Sequence, residues 1–165
     1  MKHNVFMSIR GTQTTPGEAP ESIELTTAGT MEREGDTIVL SYQESPLTGL
    51  ADTTTTFRIE PGKIILERTG AVESRMEFVE GQSGESLYRI EEGALLLRVF
   101  AKKMEVDLQE DSGQFHLCYS IEVENTPMGT IDYHITVRPE SGFAACRNGT
   151  LPFYLLMLHS TGFLL

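Results

Sequence analysis

Apolar and polar residues alternate with a period of two through most of the first 138 residues, and turn signals break the alternation at short, even intervals. Val5, Met7 and Ile9 alternate with Phe6, Ser8 and Arg10. A polar stretch with two prolines, "GTQTTPGEAPES", follows and reads as a mobile loop. Residues 23–34 and 37–44 flank Gly35-Asp36, a good hairpin signal. Residues 53–60 and 63–69 flank Pro61-Gly62, and 72–80 lead to a turn at "GQSG". Residues 86–91 and 94–108 flank Glu92-Gly93, and 114–124 and 130–138 flank "NTPMG". No stretch sustains a period of 3.6, and "QEDSG" holds a single helical turn at most.

Such a chain is all-β, with about ten short strands joined almost entirely by hairpins. Its first and last strands would be exposed edges, and closing the sheet removes both. The expected fold is a single antiparallel, largely up-and-down barrel of about eight to ten strands, with room inside for side chains and at most one small ligand. A two-sheet sandwich would need long crossing connections, which are scarce here. Within 94–108 the apolar phase changes, from Leu95, Leu97 and Val99 to Met104, Val106 and Leu108. A bulge near Ala101-Lys102-Lys103 reconciles the two phases and bends the strand as a barrel corner requires.

Charge narrows the partners. Thirteen Lys and Arg stand against 24 Asp and Glu, a net −11, which repels phosphate backbones and anionic lipid. No basic patch overrides that total, so neither nucleic acid nor a membrane is expected as a partner. Two cysteines, Cys118 and Cys146, lie far apart with no metal-ligand spacing, so the expectation is free thiols in a reducing compartment. The N-terminus alternates and has no apolar core of signal-peptide length. By elimination the expected location is cytoplasmic.

Four segments, "TIVLSYQES", "KIILERTGAVESRMEF", "YRIEEGALLLRVF" and "FHLCYSIEV", resemble in order and spacing the YwiB-like bacterial proteins, a family of unknown function. The resemblance covers roughly residues 4–138. It implies a calycin-type, lipocalin-like barrel and carries no activity with it. The domain boundary is therefore expected at 138, with 139–165 an apolar C-terminal tail whose only charges are Glu140 and Arg147. Its last fifteen residues, from Leu151 to Leu165, fall short of the ~20 a spanning helix needs. Three readings of the tail stay open: it packs on the barrel, it comes from a shifted or extended reading frame, or it touches a membrane or partner.

In "ILERTGAVESRMEF" an arginine lies on an apolar face: Ile64, Leu66 and Arg68 share one side. Parallel reasoning turns Tyr42, Glu44, Ser74 and Tyr119 inward, and these five are the candidate ligand-binding residues. An unpaired buried guanidinium is costly. Arg68 thus either pairs with Glu44, in the bidentate geometry arginine favours, or fixes the acidic or polar head of a ligand in the lumen. Gly70, two residues on, marks a bend.

Catalytic signals are absent. There is no G-x-S-x-G, H-E-x-x-H or phosphate loop. His116 and Cys118 share a face but lie ~7 Å apart by strand rise, too far for a thiol–imidazole contact. His134 is expected beside Glu122 across the "NTPMG" turn, and no convergent ligand set suggests a metal. The expectation is a non-enzyme without cofactor or metal. It binds a small apolar or acidic molecule in its lumen or, alternatively, acts as an interaction module through its outer surface, with a homodimer left open.

Overall fold

The computed structural model describes residues 2–44 and 50–140. It contains ten strands in a closed barrel: β1 (Lys2–Thr14), β2 (Glu21–Glu34), β3 (Thr37–Gln43), β4 (Thr53–Glu60), β5 (Lys63–Gly70), β6 (Glu73–Phe78), β7 (Ser83–Ile90), β8 (Gly93–Leu108), β9 (Gly113–Val123) and β10 (Thr126–Pro139). Each strand pairs antiparallel with its neighbours in sequence, and β10 returns to β1 from Val5↔Pro139 to Thr14↔Thr130. The up-and-down order anticipated from the hairpin signals holds all the way round, and closure leaves neither terminal strand as a free edge.

Alternation decides what lies inside. Ile38, Leu40 and Tyr42 on β3, Phe57 and Ile59 on β4, Ile64, Leu66 and Arg68 on β5, and Met76 and Phe78 on β6 are all buried. Facing them across the lumen are Leu97, Val99 and Ala101 on β8 and Phe115, Leu117, Tyr119 and Ile121 on β9. Apart from Arg68, the strand charges lie mainly at outward positions, many tied into ion pairs such as Arg10–Glu24 and Arg98–Glu85. Among the described residues no helix is long and apolar enough to cross a membrane.

The β8 bulge is where the phase change places it. Ala101 pairs with Tyr119 and Lys103 with Cys118, leaving Lys102 as the extra residue. Leu97, Val99 and Ala101 before it, and Met104 and Val106 after it, therefore all lie opposite inward residues of β9.

Two expectations need correction. The stretch 11–22 is not one loop: Gly11–Thr14 continue β1 and Glu21–Ser22 begin β2, because the β1–β2 ladder runs on to Gln13↔Glu21. Only 15–20 connect the strands. His134 does not meet Glu122 but His116, the two rings stacked 5.1 Å apart. The turn sits at Glu124-Asn125, both with positive φ, and a bulge between Pro127 and Gly129 absorbs the rest of the supposed turn. The expected tail 139–165 lies, apart from Pro139 and Glu140, outside the described residues, as does Cys146.

Candidate functional site

Cross-strand register stacks the lumen beneath β3–β6 in three rows. Ile38, Ile59, Ile64 and Phe78 form one; Leu40, Phe57, Leu66 and Met76 form the next. The third reads Tyr42, Thr55, Arg68, Ser74 and, through Ser74↔Tyr88, continues onto β7. Same-face neighbours two apart along a strand are separated by ~7 Å, so apolar and polar rows lie in one lumen at opposite ends.

The polar row is nearly as buried as the apolar ones. Thr55 is fully buried and Arg68 is 3% exposed, with Tyr42, Ser74 and Tyr88 below a tenth. Gly70 follows Arg68 with φ 116°, and a Cβ there would run into the Asp52 carbonyl, so the expected bend is a close backbone approach that only glycine allows.

Glu44 stands by this row, but it does not form the bidentate pair with Arg68. Its Oε2 accepts a 2.6 Å hydrogen bond from Thr55 Oγ1, and it also bonds the Tyr42 hydroxyl. Arg68 Nε and Nη1, both buried, have no hydrogen-bond partner, and neither do the buried hydroxyls of Ser74 and Ser86. Glu44 thus acts on Arg68 through its field rather than through contact.

That field keeps the guanidinium charged. Burial alone pulls its pKa down, but its neighbours raise it on balance: near neutral pH the Glu44 carboxylate, and at high pH also the phenolates of Tyr133, Tyr42 and Tyr88. The surrounding phenols stay neutral. Burial, followed by the nearby Glu44 carboxylate, holds Tyr42 well above its ordinary value. Burial likewise raises Tyr119 strongly and Tyr88 to a lesser degree, with Arg68 pulling both the other way. Tyr119 is fully buried against Phe78, ring centres 4.6 Å apart. The arrangement is a fixed cation among neutral hydroxyls, which can receive an anion's oxygens and do not themselves transfer protons near neutral pH.

Tyr42, Arg68 and Ser74 therefore share the polar row, with Glu44 beside it, whereas Tyr119, on the far wall, packs on Phe78 of the apolar row. Sequence reasoning missed Thr55, Ser86, Tyr88 and Tyr133. Thr55 hides in a run of four threonines, where alternation is invisible. Tyr88 and Ser86 did show period two with Ile90, but in a run too short to assign a face.

Away from this end, His116 Nε2 lies 2.7 Å from Asp132 Oδ1. Cys118 also bonds Asp132, and partial burial followed by that carboxylate raises its thiol pKa, the reverse of nucleophile activation. No group of three or more His, Cys, Asp or Glu side chains converges as metal ligands among the described residues.

A family model described as a domain of unknown function, DUF1934, matches residues 7–135. The chain belongs to that family. This DUF1934 chain is 30% identical over 103 residues to the uncharacterized beta-barrel protein YwiB of Bacillus subtilis, covering 62% of this chain and 71% of that protein. Its fold is similar to the crystal structure of the ywiB protein from Bacillus subtilis, with a TM-score of 0.75 at 23% identity over 85% of this chain and 94% of that one. The resemblance read from the four sequence segments thus holds for the DUF1934 barrel, and like the family description it brings no activity.

Proposed function

We propose that the barrel is a binding protein for a small acidic molecule, anchored by Arg68 with hydroxyls of the polar row completing its contacts. One observation carries this: a nearly fully buried guanidinium has two nitrogens without a partner. Taking an arginine out of water costs several kcal/mol unless its charge and N–H groups are satisfied, and here satisfaction is incomplete. An anionic ligand supplies what is missing. An entirely apolar ligand fits less well, because the apolar part of the lumen already holds buried rings packed on one another, Phe57 on Phe115 and Phe78 on Tyr119. In this reading the protein works without cofactor or metal, as lipocalin-like carriers do, in the cytoplasm, and is not an enzyme.

The test is native mass spectrometry of protein purified gently from its host. A stoichiometric added mass, lost in Arg68→Met, is the expected result. A bare mass in both proteins, together with no thermal shift by a panel of small carboxylic acids, would remove the reading.

A second reading is contact with a protein partner through the outside of β7 and β8, where Leu87 and Phe100 are 43% and 38% exposed. It predicts a dimer or complex in light scattering that Leu87→Glu dissolves, with Arg68→Met having no effect.

A further inference from the structure

The barrel wall is not equally closed all round. Strands β6 and β7 share only two register pairs, Glu73↔Arg89 and Ser74↔Tyr88. By contrast the β5–β6 ladder of the same short β6 runs from Ile64↔Phe78 to Arg68↔Ser74. Beyond Ser74 the β6–β7 ladder has no further register pair, although Gly84 lies close to the Glu77 carbonyl, 3.3 Å from where a Cβ would stand. Between those two points lie Arg75 and Met76 on one side and Glu85, Ser86 and Leu87 on the other.

An open cleft of about 660 Å³ occupies this part of the wall. Its lining mixes inward residues (Arg68, Ser74, Gly84, Ser86) with outward ones such as Arg75 and Leu87. Successive side chains of a strand point to opposite faces, so a groove confined to intact sheet would meet mainly outward residues. This cleft lies over the gap in the ladder, directly outside Arg68, Ser74 and Ser86. Arg68 Nε and Nη1, Ser74 Oγ and Ser86 Oγ, four buried atoms without partners, all belong to residues that line it.

Building on the binding function proposed above, we infer that the ligand is a monocarboxylate that reaches Arg68 sideways, through the window between β6 and β7, rather than down the barrel axis. Arg68 supplies the buried charge, and Ser74 and Ser86, from the two sides of the window, donate to the carboxylate oxygens. Charge balance sets the class. The site holds one buried cation, whose field Glu44 already partly offsets, and Glu73, Glu77 and Glu85 edge the cleft. A dianion would bring in a second charge that no further buried cation compensates, since Arg89 lies exposed at the mouth. At the mouth Arg75 is held by Glu67 and Glu77, whereas Arg89 makes no ion pair among the described residues and is available to draw an anion in.

The test follows the Arg68 Nε–H resonance by NMR while benzoate, acetate or inorganic phosphate is titrated into the full chain. Benzoate and acetate are expected to move the resonance saturably, with phosphate binding at least about tenfold more weakly. Ser86→Leu, which fills the window, is expected to abolish the shift while the Arg68 signal and the fold persist. Leu87→Trp gives a second readout that does not depend on Ser86→Leu folding: the protein has no tryptophan of its own, and Leu87 is exposed at the mouth. Its emission should respond to benzoate over the same concentration range. Binding that moves Arg68 but is unaffected by Ser86→Leu, or leaves the Trp emission unchanged, overturns the lateral window and leaves the anion-binding function standing. Phosphate binding as tightly as benzoate overturns the monocarboxylate assignment. If neither acid moves Arg68 in the unaltered protein, the inference and the binding function fall together.

Discussion

The Ile38–Ile59–Ile64–Phe78 row and the Tyr42–Thr55–Arg68–Ser74 row are built by the same four strands, in the same register, four residues apart along each. Backbone geometry therefore does not distinguish them; side chains do. The first row is complete in itself: apolar surfaces bury one another and nothing is left unsatisfied. The second buries an arginine and a serine with atoms that have no partner. Buried polar groups are ordinarily hydrogen-bonded, so a row this incomplete costs stability unless something else completes it. Stability is concentrated at one end of the lumen, and the binding proposed above uses the other.

The largest expected effect breaks the apolar row. Phe78→Ala should cost about 3–5 kcal/mol in urea denaturation, the range for truncating a buried aromatic. Ser74→Ala is the opposite control. Its hydroxyl makes no hydrogen bond, so losing it should be neutral or slightly stabilising in the absence of ligand. A loss of several kcal/mol for Ser74→Ala would mean that the polar row is held together as tightly as its apolar counterpart.

Alkaline pH should act on the polar end through the phenols. Tyr42, Tyr88 and Tyr119 have folded pKa values raised above the unfolded one by burial, so the folded state holds their protons more tightly. Their contribution is full below the unfolded value of about 10 and is lost as pH rises through the folded values. The unfolding free energy should hold to pH ~10 and then fall by about 1 kcal/mol per affected phenol for each further unit. Tyr42→Phe should flatten that slope, and an unchanged slope would separate Tyr42 from the titration. The smallest effect lies outside the barrel. Arg10 and Glu24 pair at 2.8 Å with both side chains mostly exposed, and Arg10→Gln should change stability by less than about 1 kcal/mol.

Much of this architecture was legible in the residues. Alternation and two-residue turn signals specify hairpins, and a chain of hairpins with two unprotected edges has closure as its simplest remedy. The β8 bulge was legible because one extra residue must invert the apolar phase, and it did so between Val99 and Met104. Arg68 and Ser74 were legible together because they share a face across a tight hairpin. What escaped depends on pairing rather than on pattern. "TTTTF" gives no phase, so Thr55 went unseen. The polar stretch 11–22 has loop composition, yet its ends are strands because partners lie alongside them. His134 was misplaced because two positive-φ residues and a bulge share the work of one turn. The window between β6 and β7 has no local signature, since "GQSGES" reads as turn whether or not the ladder beyond it is complete.

The most direct measurement compares the unfolding free energy of the ligand-free protein with that of Arg68→Met. If Arg68 is an incompletely satisfied cation held for a ligand, replacing it with an apolar side chain of similar length should leave the barrel as stable or raise its stability by about 1–4 kcal/mol. A loss of about 3–5 kcal/mol would instead mark Arg68 as one half of a structural charge pair, and would contradict the division of the lumen into a stabilising end and a binding end.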